Sequence, residues 1–435
     1  MSPAAGQHRR AVQAAWCLYD AANSAFATTI LAVLFNSYFA RVLAGGMEGT
    51  DVLGVRIPGP TLYSFLLSGS LVLAAGLAPA VGLRADRSPR PVLYLFTLAA
   101  PSMAATALLG LVGTTGLTAA MVLFPVAVIG FSLSSVVYDG LLPRIADPPS
   151  MGRVSGWGWG LGFFGGGLLL LLCLGLIRGI DLPGGSRLQV SVPATFPVTA
   201  LWWAVLTLPL LAAGRWIGRP LGSPPRGVGG LLGTARRSPH LLRFLAANLL
   251  YGDGVQTVVA MASIFAATLL GWPSDRILLY FLAVQGAALV GSALLGYGAD
   301  RWSERRVLFG CLAVWLVIAL ATWRLGWTGR PDSEYWLLGI LGGLVLGPTQ
   351  SLSRSLLGKA TPPGSATSVF SLFAVSNRFA AVLGPLTYGF IAWWTGSLKA
   401  AALSTAAFFA LGGLLLAGVD VRRLEAELRR MGGGT

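Results

Sequence analysis

Three charged side chains in this chain stand inside long apolar runs: Asp20, Asp253 and Arg378. An ionised group in such surroundings is costly and persists where it has a partner or a task. A carboxylate there can take up a proton or hold an amino group, and a guanidinium can grip an anionic group through its planar fork. The two acids come in matching company. Tyr19-Asp20-Ala-Ala-Asn23-Ser24 lines up with Gly252-Asp253-Gly-Val-Gln256-Thr257 at an offset of 233. Each acid therefore has an amide, Asn23 or Gln256, one helical turn on and on its own face. Each also follows a basic residue, Arg10 or Arg243, by ten positions, about 15 Å along a helix. Read functionally, these four side chains bind a polar solute or a coupling proton. Read structurally, the acids bond to helix ends or to an arginine. Arg378 lies about twelve residues into its apolar run, so it needs either an anionic solute group or an acidic partner in a structural bridge. Asp139, four residues before Pro143, is a candidate partner for Arg378 and equally for Arg144 in a terminal bridge.

A second constellation is of another kind. Gly82-Leu-Arg-Ala85-Asp86-Arg87 recurs as Gly296-Tyr-Gly-Ala299-Asp300-Arg301 at an offset of 214, and Arg90 follows the first copy. Plain cationic anchors would explain the arginines but leave the repeated acid unexplained. Arg354 follows Gln350 by four residues at the edge of an apolar run, where a gate or loop-anchor role is expected ahead of solute contact. Gly160-Leu-Gly162-Phe-Phe-Gly165 fits the dinucleotide pattern but has no strand–helix–strand context. With Gly152, Gly156 and Gly158 it supplies a small-residue packing face instead, and Trp157 and Trp159 beside it read as interfacial anchors. Cys17, Cys173 and Cys311 are widely spaced packing thiols, and His8 and His240 are peripheral. No catalytic triad, metal spacing or phosphate loop is present in the sequence. The chain is expected to be no enzyme, to carry no cofactor and not to hydrolyse ATP.

The elements that must position these groups are set by composition. Charged residues make up 11% of the 435 and apolar types 55%, against about 25% charged in soluble domains. The 58 glycines suit close helix packing in lipid. Twelve stretches reach the length of roughly 20 residues that crosses a bilayer: 14–42, 61–83, 91–113, 117–141, 154–177, 194–214, 242–270, 277–299, 307–326, 334–357, 366–395 and 398–419. The first is too long for a cleaved signal segment. Between the halves, 215–239 is rich in Arg, Gly and Pro and reads as a linker with room for a short interfacial piece. The predicted organisation is 1–214 and 240–435 as two six-helix bundles, the second ending in a short basic tail. Sorted by loop, 22 of the 31 Lys and Arg fall on the side of the two termini, eight on the other, and Arg378 within a span. That asymmetry places both termini in the cytoplasm, and it accounts for the +15 net charge without nucleic acid.

The Gly-x-x-x-Asp-Arg element with Arg90, and its echo at 296–301, resemble the signature of the major facilitator superfamily. Further strings narrow the likeness: Trp16-Cys-Leu-Tyr19-Asp20-Ala-Ala-Asn23-Ser24-Ala-Phe26-Ala, Tyr138-Asp139-Gly-Leu-Leu-Pro143, Gly152-Arg153-Val-Ser155-Gly156, Gln350-Ser-Leu-Ser353-Arg354-Ser355 and Phe379-Ala-Ala-Val-Leu-Gly384-Pro385. They are similar to the branch holding the fungal vacuolar amino-acid effluxers of autophagy and their bacterial relatives, over nearly the whole chain. In one departure, Ser376-Asn377-Arg378 stands where that branch often carries Ser-Gly-Lys, so a compact ammonium becomes a planar fork.

The resemblance implies an all-α polytopic fold: twelve transmembrane helices in two pseudo-symmetric bundles, rocking about a central polar cavity. It implies secondary active transport of a small polar or zwitterionic solute, amino acids first, with protons as a candidate coupling ion. Asp20, Asn23, Asp253, Gln256, Arg378 and Asp139 are the expected binding or coupling residues. By the same resemblance, each loop acid bonds across the cytoplasmic surface to a neighbouring helix end and an arginine, so Gly82, Asp86, Arg87, Arg90, Gly296, Asp300, Arg301 and Arg354 are expected to form a gate. The alternatives are an exporter of drugs, lipids or other metabolites, and a non-transporting receptor or scaffold with the same fold. The expected setting is the bacterial cytoplasmic membrane, as a monomer, with the solute, protons and the bilayer as partners and no nucleic acid.

Overall fold

The computed structural model describes residues 3–46, 48–52, 54–113, 116–181, 187–217, 227–272, 274–379 and 383–432. In hydrocarbon every backbone N–H and C=O must be paired within its own segment, so apolar runs of this length become helices. The helices are α1 (Pro3–Phe26), α2 (Gly59–Arg87), α3 (Pro91–Leu109), α4 (Leu117–Ile145), α5 (Met151–Arg178) and α6 (Thr195–Ala213). After a short helix at Val228–Arg236 come α7 (Pro239–Leu269), α8 (Ser274–Arg301), α9 (Glu304–Trp323), α10 (Pro331–Ala360), α11 (Ala366–Phe379), α12 (Leu383–Thr395), α13 (Leu398–Ala417) and α14 (Val421–Gly432). Beyond Phe26 the first span continues through π-helical turns at Ala27–Val33 and Phe39–Leu43. Pro91, Pro239 and Pro331 open their helices at positions whose N–H would have no partner in any case. The α4–α5 and α10–α11 connections use the same device, a 3₁₀ turn at Pro148–Ser150 and at Pro363–Ser365.

Among the described residues, ten helices are long and apolar enough to cross a membrane. Their outward surface is apolar too: Leu73, Leu172, Leu201, Leu294 and Leu414 are exposed, while Trp16, Trp203 and Trp315 are buried. Such a surface fits lipid as its solvent. Two short antiparallel hairpins add to the expected all-helical architecture, Thr50–Val52 with Val55–Ile57 and Ile180–Asp181 with Arg187–Leu188. The first turns at Gly54, in the left-handed region at φ 82°, whose N–H donates to Asp51 Oδ1 at 2.9 Å.

The chain divides into two compact units, and the boundary cuts across helices. The first holds Met1–Ala78, Ser88–Tyr138 and Leu161–Gly218. In it α6 packs on α1 and α3, around Phe26, Phe131 and Trp203, whose ring centroids lie 4.9–6.0 Å apart. Gly165 lets α5 approach α1, since a β-carbon there would come within 2.6 Å of Ala21 Cβ. The second unit holds Pro79–Arg87, Asp139–Gly160 and Arg219–Thr435. In it α8 packs on α10, α10 on α9, α9 on α13, and α13 on α7, which also meets α11. This unit thus includes the last turns of α2, the end of α4 and the start of α5. Within the predicted linker, 218–226 lie outside the described residues.

Candidate functional site

The second unit gathers the repeated acids and their partners. Asp86, in the last turn of α2, is buried. It accepts from Thr367 N at 3.0 Å, from Ser368 N and Ser368 Oγ at 2.7 Å each, and from Arg144 Nη2 at 2.9 Å. The first N–H groups of a helix have no intrahelical acceptor and carry the positive end of its dipole, so a carboxylate there caps α11 and is stabilised by it. Gly82, one turn earlier, makes the approach possible: a β-carbon would stand 2.7 Å from Thr367 O and 2.9 Å from Ser371 Cβ.

Asp300, in the last turn of α8, repeats the arrangement on α5. Its Oδ1 accepts from Gly152 N and its Oδ2 from Arg153 N, both at 2.9 Å. Lys359 Nζ lies 3.6 Å from Oδ1 and also contacts Glu304. Gly296 serves as Gly82 does, with a would-be β-carbon 2.9 Å from Gly152 O and 3.1 Å from Gly156 Cα. The receiving positions, 152–153 and 367–368, and the cations, Arg144 and Lys359, are each 215 residues apart. The duplication thus extends beyond the two loops to the helix starts they cap and the helix ends that neutralise them. Arg87 and Arg301, each next in sequence to a capping acid, are exposed, and so is Arg90 of the first unit.

Arg354 is buried, with its side chain 3% exposed. Its Nη1 lies 3.1 Å from Asp139 Oδ1, while Nε and Nη2 donate to Ser155 Oγ and Ser155 O at 3.0 Å each. The guanidinium sits 5.6 Å from the Trp159 ring, so Trp159 is more than the interfacial anchor its position suggested. Asp139 and Arg354 are themselves 215 residues apart. The same position in each repeat carries opposite charge, and the two charges meet. Of the sequence alternatives for Asp139, the bridge to Arg144 is corrected: Arg144 pairs with Asp86. Five residues on in one helix is about 140° around its axis, so Arg144 faces away from Asp139. The other alternative involves Arg378, which lies in α11 with its side chain outside the described residues.

The remaining candidates sit deeper in their helices. In the first unit Asp20 and Asn23 are buried, and Asn23 Nδ2 donates to Ser135 Oγ at 3.2 Å. Trp16 Nε1 donates to Tyr138 O at 3.0 Å, with the two rings stacked at 4.4 Å, joining this face of α1 to α4. In the second unit Asp253 is fully buried, and no side chain among the described residues bonds to either carboxylate oxygen. Gly384 of α12 packs directly on it, since a β-carbon there would lie 2.8 Å from Asp253 Oδ1 and collide with Thr257 Oγ1. Gln256 is exposed and does not share the burial of Asp253. The expected likeness of the two amides ends there.

Several contacts in the site went unread in the sequence. Asn248 Nδ2 donates to Asn377 Oδ1 at 2.6 Å, and Ser376 Oγ donates to Leu245 O at 2.8 Å, so the residues just before Arg378 are tied to α7. Tyr251 Oη and Ser353 Oγ lie 2.7 Å apart. Lys359 and Ser155 were equally unassigned. The signal for Lys359 was available: sliding the chain by 215 sets it on Arg144.

The description "vacuole effluxer Atg22 like" matches residues 8–429. YxiO of Bacillus subtilis (strain 168), an uncharacterized MFS-type transporter, is 26% identical over 414 residues, which cover 92% of this chain and 93% of YxiO. Autophagy-related protein 22 of Cryptococcus neoformans var. neoformans serotype D (strain B-3501A) is 29% identical over 275 residues, 57% of this chain and 48% of the fungal protein. The chain thus spans about half the length of its fungal relatives. In fold it is similar to a bacterial homologue of the iron transporter ferroportin, at a TM-score of 0.72 and 14% identity over 94% of this chain and 98% of that one. It is likewise similar to the proton:xylose symporter XylE, at 0.71 and 12% over 97% and 99%. With the family matched from residue 8 to residue 429 and the major facilitator architecture found in these structures, the chain belongs to the Atg22-like branch of the major facilitator transporters.

Proposed function

We propose that this protein is a proton-coupled carrier of small zwitterionic solutes, amino acids first, working by alternating access in a bacterial cytoplasmic membrane. The observation that carries the reading is Asp253: a fully buried carboxyl, midway along α7, with no cation and no side-chain donor bonded to it among the described residues. Bare and ionised it would be costly in a membrane. Protonated, or holding an ammonium group, it is not. Asp20 is the corresponding acid of the first half, with Asn23 beside it, and Arg378 is the cation assigned to a substrate carboxylate. The amino-acid assignment draws on the likeness to the vacuolar effluxers.

In this reading both termini are cytoplasmic, which the basic-residue asymmetry supports. The spans number twelve, with α7 and the α11–α12 pair added to the ten that meet length and hydropathy. The caps at Asp86 and Asp300 and the Asp139–Arg354 pair hold the cytoplasmic side shut and separate when it opens. The carrier acts as a monomer.

Flux into proteoliposomes, measured for a panel of labelled amino acids with and without a proton gradient, tests the proposal. A gradient should accelerate uptake of at least one amino acid, and Asp253→Asn should remove that acceleration while leaving exchange at equal pH. No amino-acid flux above protein-free liposomes, or a gradient response intact in Asp253→Asn, overturns it.

A further inference from the structure

A crevice of about 420 Å³ opens on the flank of the second unit between α8, α9 and α10. Its floor is Val307, Cys311 and Val345, all buried, and its walls include Leu295 and Val314. Gly310 lines it with nothing within 4 Å of where a β-carbon would stand, so a side chain at that position would project into open space. The lining runs from Arg306 to Val314, about 12 Å along α9 at the rise of a helix. That helix is one of the candidate membrane spans. An apolar groove of this length within the bilayer is filled by hydrocarbon chain, because water there would find almost no polar partner.

The polar end of the crevice points to which lipid fills it. Three charged residues open α9, and two are committed elsewhere. Glu304 is paired with Lys359, and Arg305 Nη2 donates to Ala417 O at 2.6 Å. The third, Arg306, is exposed and lines the crevice, where no acidic residue joins it among the described ones. Trp302, 64% exposed, stands beside it at the helix junction, the usual depth for an indole at the level of lipid headgroups. We infer that this crevice binds an anionic phospholipid, one acyl chain lying over Gly310 and the headgroup phosphate on Arg306. The inference is independent of the transport reading, since it uses none of the same residues.

The test is binding to the full-length protein in phosphatidylcholine nanodiscs. Probes are a fluorescent phosphatidylglycerol, the matching phosphatidylcholine, and soluble glycerol phosphate. Wild type should retain phosphatidylglycerol about fivefold better than phosphatidylcholine, the effect of one arginine near an anionic headgroup. Arg306→Ala should remove the preference, Arg306→Lys should keep most of it, and Gly310→Leu should weaken both lipids alike. Both positions are exposed, so thermal unfolding of the variants should match wild type. Equal retention of the two lipids by wild type overturns the inference. So does a preference unchanged in Arg306→Ala, or glycerol phosphate competing as well as the lipid.

Discussion

Asp86 and Asp300 occupy the same place in their repeats, 214 residues apart, yet their surroundings differ. Asp86 accepts four hydrogen bonds, one of them from Arg144, with both side chains of that pair 3% exposed or less. Asp300 accepts two from the backbone, and its cation is a lysine 3.6 Å away, 21% exposed and shared with Glu304. A rigid guanidinium fork buried against one carboxylate leaves little room for adjustment. A lysine poised between two acids can shift from one to the other. The duplication has thus kept the helix-capping acid and let its neutralisation diverge. One cap is tight and dry, the other loose and partly wet.

Breaking the tight cap should cost most. Asp86→Ala strands Arg144 in a buried position, and loss of one partner of such a pair destabilises by about 3–5 kcal/mol. Thermal unfolding of the purified protein should register it, and adding Arg144→Met should recover part of the loss by removing the stranded charge. A single variant that melts with wild type would break the distinction between the two caps.

The Asp139–Arg354 pair ranks next. Asp139 is 23% exposed, so the pair is less buried than that of Asp86, and Arg354→Ala should destabilise by about 2 kcal/mol through its lost hydrogen bonds. Exchanging the two charges, Asp139→Arg with Arg354→Asp, should restore only part, because the bonds from the guanidinium to Ser155 are not rebuilt. A swap no better than the single variants would mean that Ser155, and not the opposite charges, carries this contact.

The loose cap should show the smallest response. Asp300→Asn keeps one oxygen for a backbone N–H and should cost about 1 kcal/mol, the usual scale of an N-cap. Lys359→Ala should cost less than about 1 kcal/mol and less still at high salt, as for a partly exposed ion pair. Equal losses from Asp300→Asn and Asp86→Ala would erase the comparison.

Much of this was legible along the chain because it is local or periodic. Apolar runs long enough to span a bilayer announce helices wherever they occur, and the family likeness followed from contiguous strings such as Gly82–Arg87 and its echo. Gly160, Gly162 and Gly165 were readable as a packing face rather than a nucleotide loop from their context alone, and Gly162 and Gly165 do meet α1 at Ser24 and Ala21. The hairpins were missed because their strands are two or three residues long, too short for any alternation to register.

What the residues determined by themselves is that charges would be buried in a duplicated helical membrane protein and would need partners. Which partners they found was decided by the tertiary structure. Asp86 meets the start of α11 some 281 residues away, Asp139 meets Arg354 across 215, and Asp253 meets the bare backbone of Gly384. A charge in an apolar run declares its cost through its own side chain and neighbours. The group that answers it is chosen by how helices distant in sequence pack, and helical periodicity carries no record of that.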